Sequence, residues 1–244
     1  MMKQKATPRE QQQILKKIQE NETEEVAGGY SQKKRFWRSS PFWISCGICL
    51  LPLLFGISVY GQLPEQIMTH WGADGTPNGW SPKAMAVFGI PSGMLALNVG
   101  LWFMLQNDPK NTHLHKSLLA IGQWTIPVLS LLTNGITFLN ALSQPVDPAL
   151  PISLAVGLLI VITGNYLPKC RPSYTVGIRL PWTLNDEENW VKTHRFGGKL
   201  WVAGGFMIIA AGLLQSEFLL LFAVALMLIP PVVYSYILYR RTFK

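Results

Sequence analysis

The sequence predicts an all-α integral membrane protein with six transmembrane helices, both termini in the cytoplasm, and an interfacial cytoplasmic helix between helices four and five. Three observations predict it. Charged residues make up only 14% of the 244 and hydrophobic ones 49%, against a charged share of roughly 25% in soluble domains. The charges leave six runs untouched: 41–60, 84–105, 117–142, 149–167, 200–214 and 218–239. The basic residues are distributed asymmetrically between the connections. Nine precede the first run, Lys110 and Lys116 follow the second, six (Lys169, Arg171, Arg179, Lys192, Arg195, Lys199) follow the fourth, and Arg240, Arg241 and Lys244 end the chain. Threaded through six spans, all of these fall on one side and only Lys83 on the other, so the basic side is the cytoplasmic one.

The elements follow in chain order. Residues 1–40 form a polar, basic cytoplasmic tail. Within it Thr7-Pro8-Arg9-Glu10 has the form of a capping box with proline at the first helical position, which opens a short helix. A secretory signal would place its apolar region near the start, where this chain is polar. The basic, aromatic edge KKRFWR then meets anionic lipid head groups. A bilayer core of ~30 Å needs about 20 helical residues. Five of the runs meet that length, and the fifth, Leu200 to Leu214, borrows flanking residues.

Residues 41–105 form a two-helix membrane domain whose outer loop is 61–83. Cys46 and Cys49 have C-x-x-C spacing but lie in the first span, where small residues serve helix packing. In the outer loop Asp74-Gly75 and Asn78-Gly79 signal turns, and Trp71 and Trp80 suit the lipid interface. His70, Trp71, Asp74 and Trp80 are the candidates for contact with something arriving from outside. Together with Glu65, His70 and Asp74 are too few and too loosely spaced for a metal site, and His113 with His115 lacks a third ligand.

Residues 106–244 form a four-helix domain with a cytoplasmic loop at 168–199. Pro168 ends the fourth helix, and Pro172, Gly177 and Pro181 enforce extended backbone with turns. Thr183 or Asn185 then caps an interfacial helix with Asp186, Glu187 and Glu188 in its first turn, Glu188 pairing Lys192. Trp182, Trp190 and Trp201 hold this helix to the bundle, and Gly197-Gly198 bends the chain into the fifth span. The expected fold-back contact is Arg179 with an acid of the 186–188 turn. Lone Cys170 is expected to react with thiol reagents from the cytoplasmic side. The candidates for a cytoplasmic partner are Arg179, Trp182, Asp186, Glu187, Trp190, His194 and Arg195. No catalytic or nucleotide-binding motif occurs, and no cofactor, metal or nucleic acid is implied. Asn98, Gln123, Asn134, Asn140 and Asn165 are expected to bond across helices, and Pro52, Pro91, Pro127, Pro230 and Pro231 to kink them.

Residues 164–205 closely resemble the defining segment of the SdpI immunity-protein family of Gram-positive bacteria. The order of Gly164-Asn165, Gly177-Ile178-Arg179, Pro181-Trp182-Thr183 and Trp190 before Thr193-His194-Arg195 carries the likeness. The first two spans with LPEQIMTHWGADGTPNGW look like the small domain that commonly precedes it. The resemblance implies a multi-pass protein that protects its producer from a secreted, membrane-active toxic peptide. It also implies a signalling branch in which a cytoplasmic DNA-binding repressor is held at the membrane. Two other classes stay open: a structural or regulatory envelope protein of the same fold without a toxin ligand, and a membrane enzyme or transporter. The absence of ionisable residues at mid-membrane weighs against transport.

Overall fold

In the computed structural model, residues 36–108, 116–144 and 146–242 are described. The tail helix and the His113–His115 pair lie outside them. Six helices are long and apolar enough to cross a membrane. They are α1 (Ser40–Ser58), α2 (Ile90–Asn107), α3 (Lys116–Ala141), α4 (Ala149–Tyr166), α6 (Glu187–Leu214) and α7 (Glu217–Thr242). The short α5 (Pro181–Leu184) precedes α6.

The helices form two groups. In one, α1, α2 and α3 pack together, so α3 sits with the first two spans although it follows residue 105. In the other, α6 lies between α4 and α7, and the α3–α4 contact joins the groups. The α4–α6 seam is built on small residues. A Cβ added at Gly205 would lie 2.7 Å from the Gly157 carbonyl oxygen, and one at Gly198 2.7 Å from that of Gly164. Backbones this close gain dispersion contacts that a lipid-exposed helix cannot gain from burial alone.

The separate interfacial helix is not present. Residues 187–214 run as one continuous helix of 28 residues, about 42 Å at 1.5 Å per residue. It exceeds a ~30 Å core, so its charged first turns extend the span instead of lying beside it. Gly197 and Gly198 do not break it; both are buried where neighbouring elements approach. The N-cap is Asp186, whose carboxylate accepts from Asn189 N–H at 3.0 Å, and not Thr183 or Asn185. The expected Glu188–Lys192 ion pair is present.

The polar side chains of the spans mostly satisfy themselves locally. Asn98 does cross, its amide donating to Ser45 Oγ of α1 at 3.0 Å. Asn134 and Asn140 instead donate to the carbonyls of Ser130 and Ile136, four residues back. That carbonyl is always within reach of a short polar side chain on a helix. Pro52, Pro127, Pro230 and Pro231 lie inside their helices, and Pro91 follows a π-helical turn, Met85–Gly89, that runs without a break into α2.

Candidate functional site: a roofed cavity and a locked loop

The connection between α1 and α2 is a β-hairpin of β1 (Gln66–Trp71) and β2 (Pro77–Pro82), paired antiparallel with an irregularity at His70. Asp74-Gly75 makes the turn. Asp74 Oδ1 accepts from Thr76 N–H at 3.0 Å and from its hydroxyl at 2.8 Å, and Gly75 takes φ +77°. The Thr76 hydroxyl, then its N–H, hold the Asp74 carboxyl below the ordinary carboxylate range. The second turn signal, Asn78-Gly79, lies within β2: Asn78 accepts from the His70 ring through Nδ1, and Gly79 faces His70. At the base, Leu63 and Ile67 are buried against Val87 and, from α3, Phe138. Lys83 pairs with Glu65 at 2.8 Å.

The hairpin lies over the end of the bundle. Beneath it is a cavity of about 420 Å³, within the size range of small-molecule sites. Its roof is Thr69–Ala73. Its walls come from both helix groups: Met94 of α2, Thr133, Asn134 and Thr137 of α3, Ile152, Ser153 and Val156 of α4, Ile208 and Ala211 of α6, and Leu220 of α7. The lining is mostly apolar, with the α3 amide and hydroxyls forming a polar stripe. Of the four candidates for outside contact, His70 and Trp71 border the cavity and Trp80 stands 57% exposed on the hairpin. Asp74 has its carboxylate engaged by the turn.

At the opposite end, the loop after α4 is fixed by buried polar contacts. Trp190 Nε1 donates to the Cys170 carbonyl at 2.8 Å. His194 Nδ1 bonds the Trp190 carbonyl at 2.8 Å, and Ile178 N–H donates to His194 Nε2 at 2.9 Å. A carbonyl on one nitrogen and an N–H donor on the other define the neutral Nδ1–H tautomer. Both nitrogens are committed, so His194 has no lone pair left for base chemistry. Asp108, at the end of α2, accepts from Ser173 Oγ at 2.6 Å and Thr175 N–H at 2.9 Å. Trp182 Nε1 donates to Ser235 Oγ of α7 at 3.1 Å and its ring packs on Tyr236 and Tyr239. Burial pushes the Cys170 thiol up to about 11, and the Asp108 carboxylate adds to the rise.

This geometry corrects several expectations about the loop. Trp190 and His194 are fully enclosed, so a macromolecular partner cannot touch them. Arg179 donates to the Tyr174 carbonyl, and no ion pair between it and Asp186, Glu187 or Glu188 is found among the described residues. The backbone between Tyr174 and Arg179 curls back on itself, which brings that carbonyl nearer than the acids. Cys170 is buried and protonated, hence unreactive where reactivity was expected. Arg179, Glu187 and Arg195 remain exposed, with Trp182 and Asp186 half-buried. The cavity's polar stripe was not singled out as a site. Its signal was a threonine, asparagine and threonine at 133, 134 and 137, one face of an uncharged span.

A bundle of six spans with a roofed, ligand-sized cavity at one end and a hydrogen-bonded loop at the other defines a multi-pass membrane protein. The model of the SdpI/YfhL protein family matches residues 169–235, and that of a domain of unknown function, DUF1648, matches residues 47–95. The Immunity protein SdpI of Bacillus subtilis (strain 168) is 30% identical over 190 residues, 78% of this chain and 90% of that protein. No solved structure matches. The chain belongs to the SdpI family.

Proposed function

We propose that this chain is an immunity protein of the cell membrane, protecting its producer from a secreted, membrane-active peptide. The observation that carries the reading is the similarity to Immunity protein SdpI along 78% of the chain. The basic asymmetry supports an orientation with the hairpin outside and the 168–199 loop in the cytoplasm. The hairpin, with exposed Trp80 and with His70 and Trp71 at the cavity, is then the surface that meets the peptide. Aromatic side chains with one polar edge suit a greasy ligand at a membrane interface. The loop offers Arg179, Glu187 and Arg195, flanked by Trp182 and Asp186, to a cytoplasmic partner, and a DNA-binding repressor fits the signalling branch of the family. Binding, not catalysis, is the activity: the one buried histidine of the loop has both nitrogens occupied.

The test compares a deletion strain with its parent in culture fluid from the wild type, scoring survival together with a reporter of the chain's own operon. The deletion strain is expected to die, and Trp80→Ala to protect less well. Glu187→Ala and Arg195→Ala are expected to keep protection and lose induction. A deletion strain that survives like its parent removes the immunity reading and leaves an envelope protein of the same fold.

A further inference from the structure

The polar side chains that the helices contribute to the cavity have already used their protons. Thr133 Oγ1 donates to the Leu129 carbonyl at 2.8 Å and Thr137 Oγ1 to the Thr133 carbonyl at 2.9 Å. Ser153 Oγ donates to the Ala149 carbonyl at 2.6 Å. Asn134 directs its Nδ2 to the Ser130 carbonyl at 2.8 Å and to Ser130 Oγ at 3.4 Å. The carbonyl fixes the amide orientation, since only the nitrogen can donate to it. Asn134 Oδ1 has no hydrogen-bond partner among the described residues, although the residue is only 2% exposed. Each of these four side chains therefore presents lone pairs, and none a free proton, to a mostly apolar space.

We propose that this cavity is a receptor for an uncharged aromatic side chain that carries a hydrogen-bond donor, an indole or a phenol of the membrane-active peptide. This rests on the immunity reading and names the chemistry its hairpin end recognises. An acyl chain from the bilayer fills apolar volume but brings no donor, so it strips water from four acceptors and returns nothing. A charged head group finds no counter-charge, because no Asp, Glu, Lys or Arg lines the cavity among the described residues. An aromatic ring with one N–H or O–H meets both demands: its face packs against Met94, Ile152 and Val156 while its donor reaches the Asn134–Thr137 stripe. The hairpin strand above supplies the edge past which the peptide enters, and Trp71 lines the cavity as an aromatic neighbour.

The full chain, purified into lipid nanodiscs, tests this with two probes of matched shape, indole and its donor-free counterpart indene. Binding is measured by saturation-transfer nuclear magnetic resonance. Indole is expected to bind about tenfold more tightly than indene. Val156→Phe, which fills the space, should abolish both signals without lowering the melting temperature. Thr137→Val keeps shape and removes a hydroxyl, and Asn134→Leu removes the free acceptor. Each should bring indole towards the affinity of indene. Equal binding of the two probes to the wild type overturns the proposal, as does discrimination retained in both variants. Failure of both probes to displace lipid also overturns it and gives the cavity to acyl chains. The deletion-strain assay addresses immunity separately: if Thr137→Val loses the discrimination but protects fully, the peptide is not the occupant while the immunity reading stands.

Discussion

Gly177 is the residue on which the loop turns. Its φ is +120°, and a Cβ there would lie 2.5 Å from His194 Nε2 and 2.8 Å from the Trp190 ring. The neighbouring Ile178 N–H is the donor that His194 accepts, and the Trp190 and His194 rings stack with centroids 3.9 Å apart. Backbone conformation, ring stack and hydrogen bond therefore depend on one missing methyl group. Gly177→Ala is expected to cost about 1–3 kcal/mol from the backbone alone, plus the displacement of two buried rings. Thermal unfolding in detergent should show a clearly lower midpoint, and an unchanged midpoint would mean that the loop tolerates the close approach. The sequence marked Gly177 as a turn and Trp190 and His194 as candidates for a partner, but it could not say on which side of the surface the two rings lie. Tryptophan and histidine are amphipathic, so an interface and a hydrogen-bonded core use the same residues. Arg179 was misplaced for a related reason. Sequence lists the acids near an arginine but not the backbone carbonyls, and here the carbonyl of Tyr174 is the partner.

At the scale of elements, all six spans were legible because a helix in lipid needs a long run without charge, and such runs are visible by inspection. The missed feature was the unbroken length of α6. Acids and bases at 187–199 and the Gly197-Gly198 pair read as a break, since glycine weakens a helix in water. In a membrane bundle glycine also lets backbones touch, and here that role prevails. Gly198, Gly205 and Gly212 recur every seven residues along α6, facing Gly164, Gly157 and Ser153 of α4 in reverse order. A seven-residue repeat keeps one seam turned to its partner over several turns. Gly205 is the centre of that seam, where an added Cβ meets the Gly157 carbonyl and Val161 at 2.7 Å. Gly205→Leu is expected to separate α4 from α6 and to leave little folded protein in the membrane. Lipid-facing Phe206→Leu, one residue on and 57% exposed, should be neutral. Equal yields of the two variants, judged by fluorescence-detected size exclusion, would show that the seam is not what holds the helices together.

Over the whole molecule, the two helix groups are tied at both ends. At the hairpin end, Gly75 comes close to Asp147 of the α3–α4 connection, which accepts from Gln215 at 3.1 Å. At the other end, Asp108 at the foot of α2 holds Ser173 and Thr175 of the loop. The cavity lies between these ties, so a ligand there touches α2 and α3 on one side and α4, α6 and α7 on the other. That arrangement has functional direction only if the hairpin faces outward, the orientation expected from threading the sequence through six spans, which sets 20 of the 21 basic residues opposite Lys83. The burial of the native thiols makes a clean test available. Cys46, Cys49 and Cys170 are all free and buried, and Cys170 is also held protonated. The wild type should therefore stay unlabelled by a membrane-impermeant maleimide even in opened cells, and it serves as its own blank. Gln62→Cys at the exposed hairpin base and Glu187→Cys at the exposed start of α6 then report one end each. Intact cells should label Gln62→Cys alone, and opened cells both. Labelling of Glu187→Cys in intact cells, with Gln62→Cys silent, would invert the protein. The hairpin and its cavity would then face the cytoplasm, out of reach of a peptide arriving from outside, and the loop would have to be the surface that such a peptide meets.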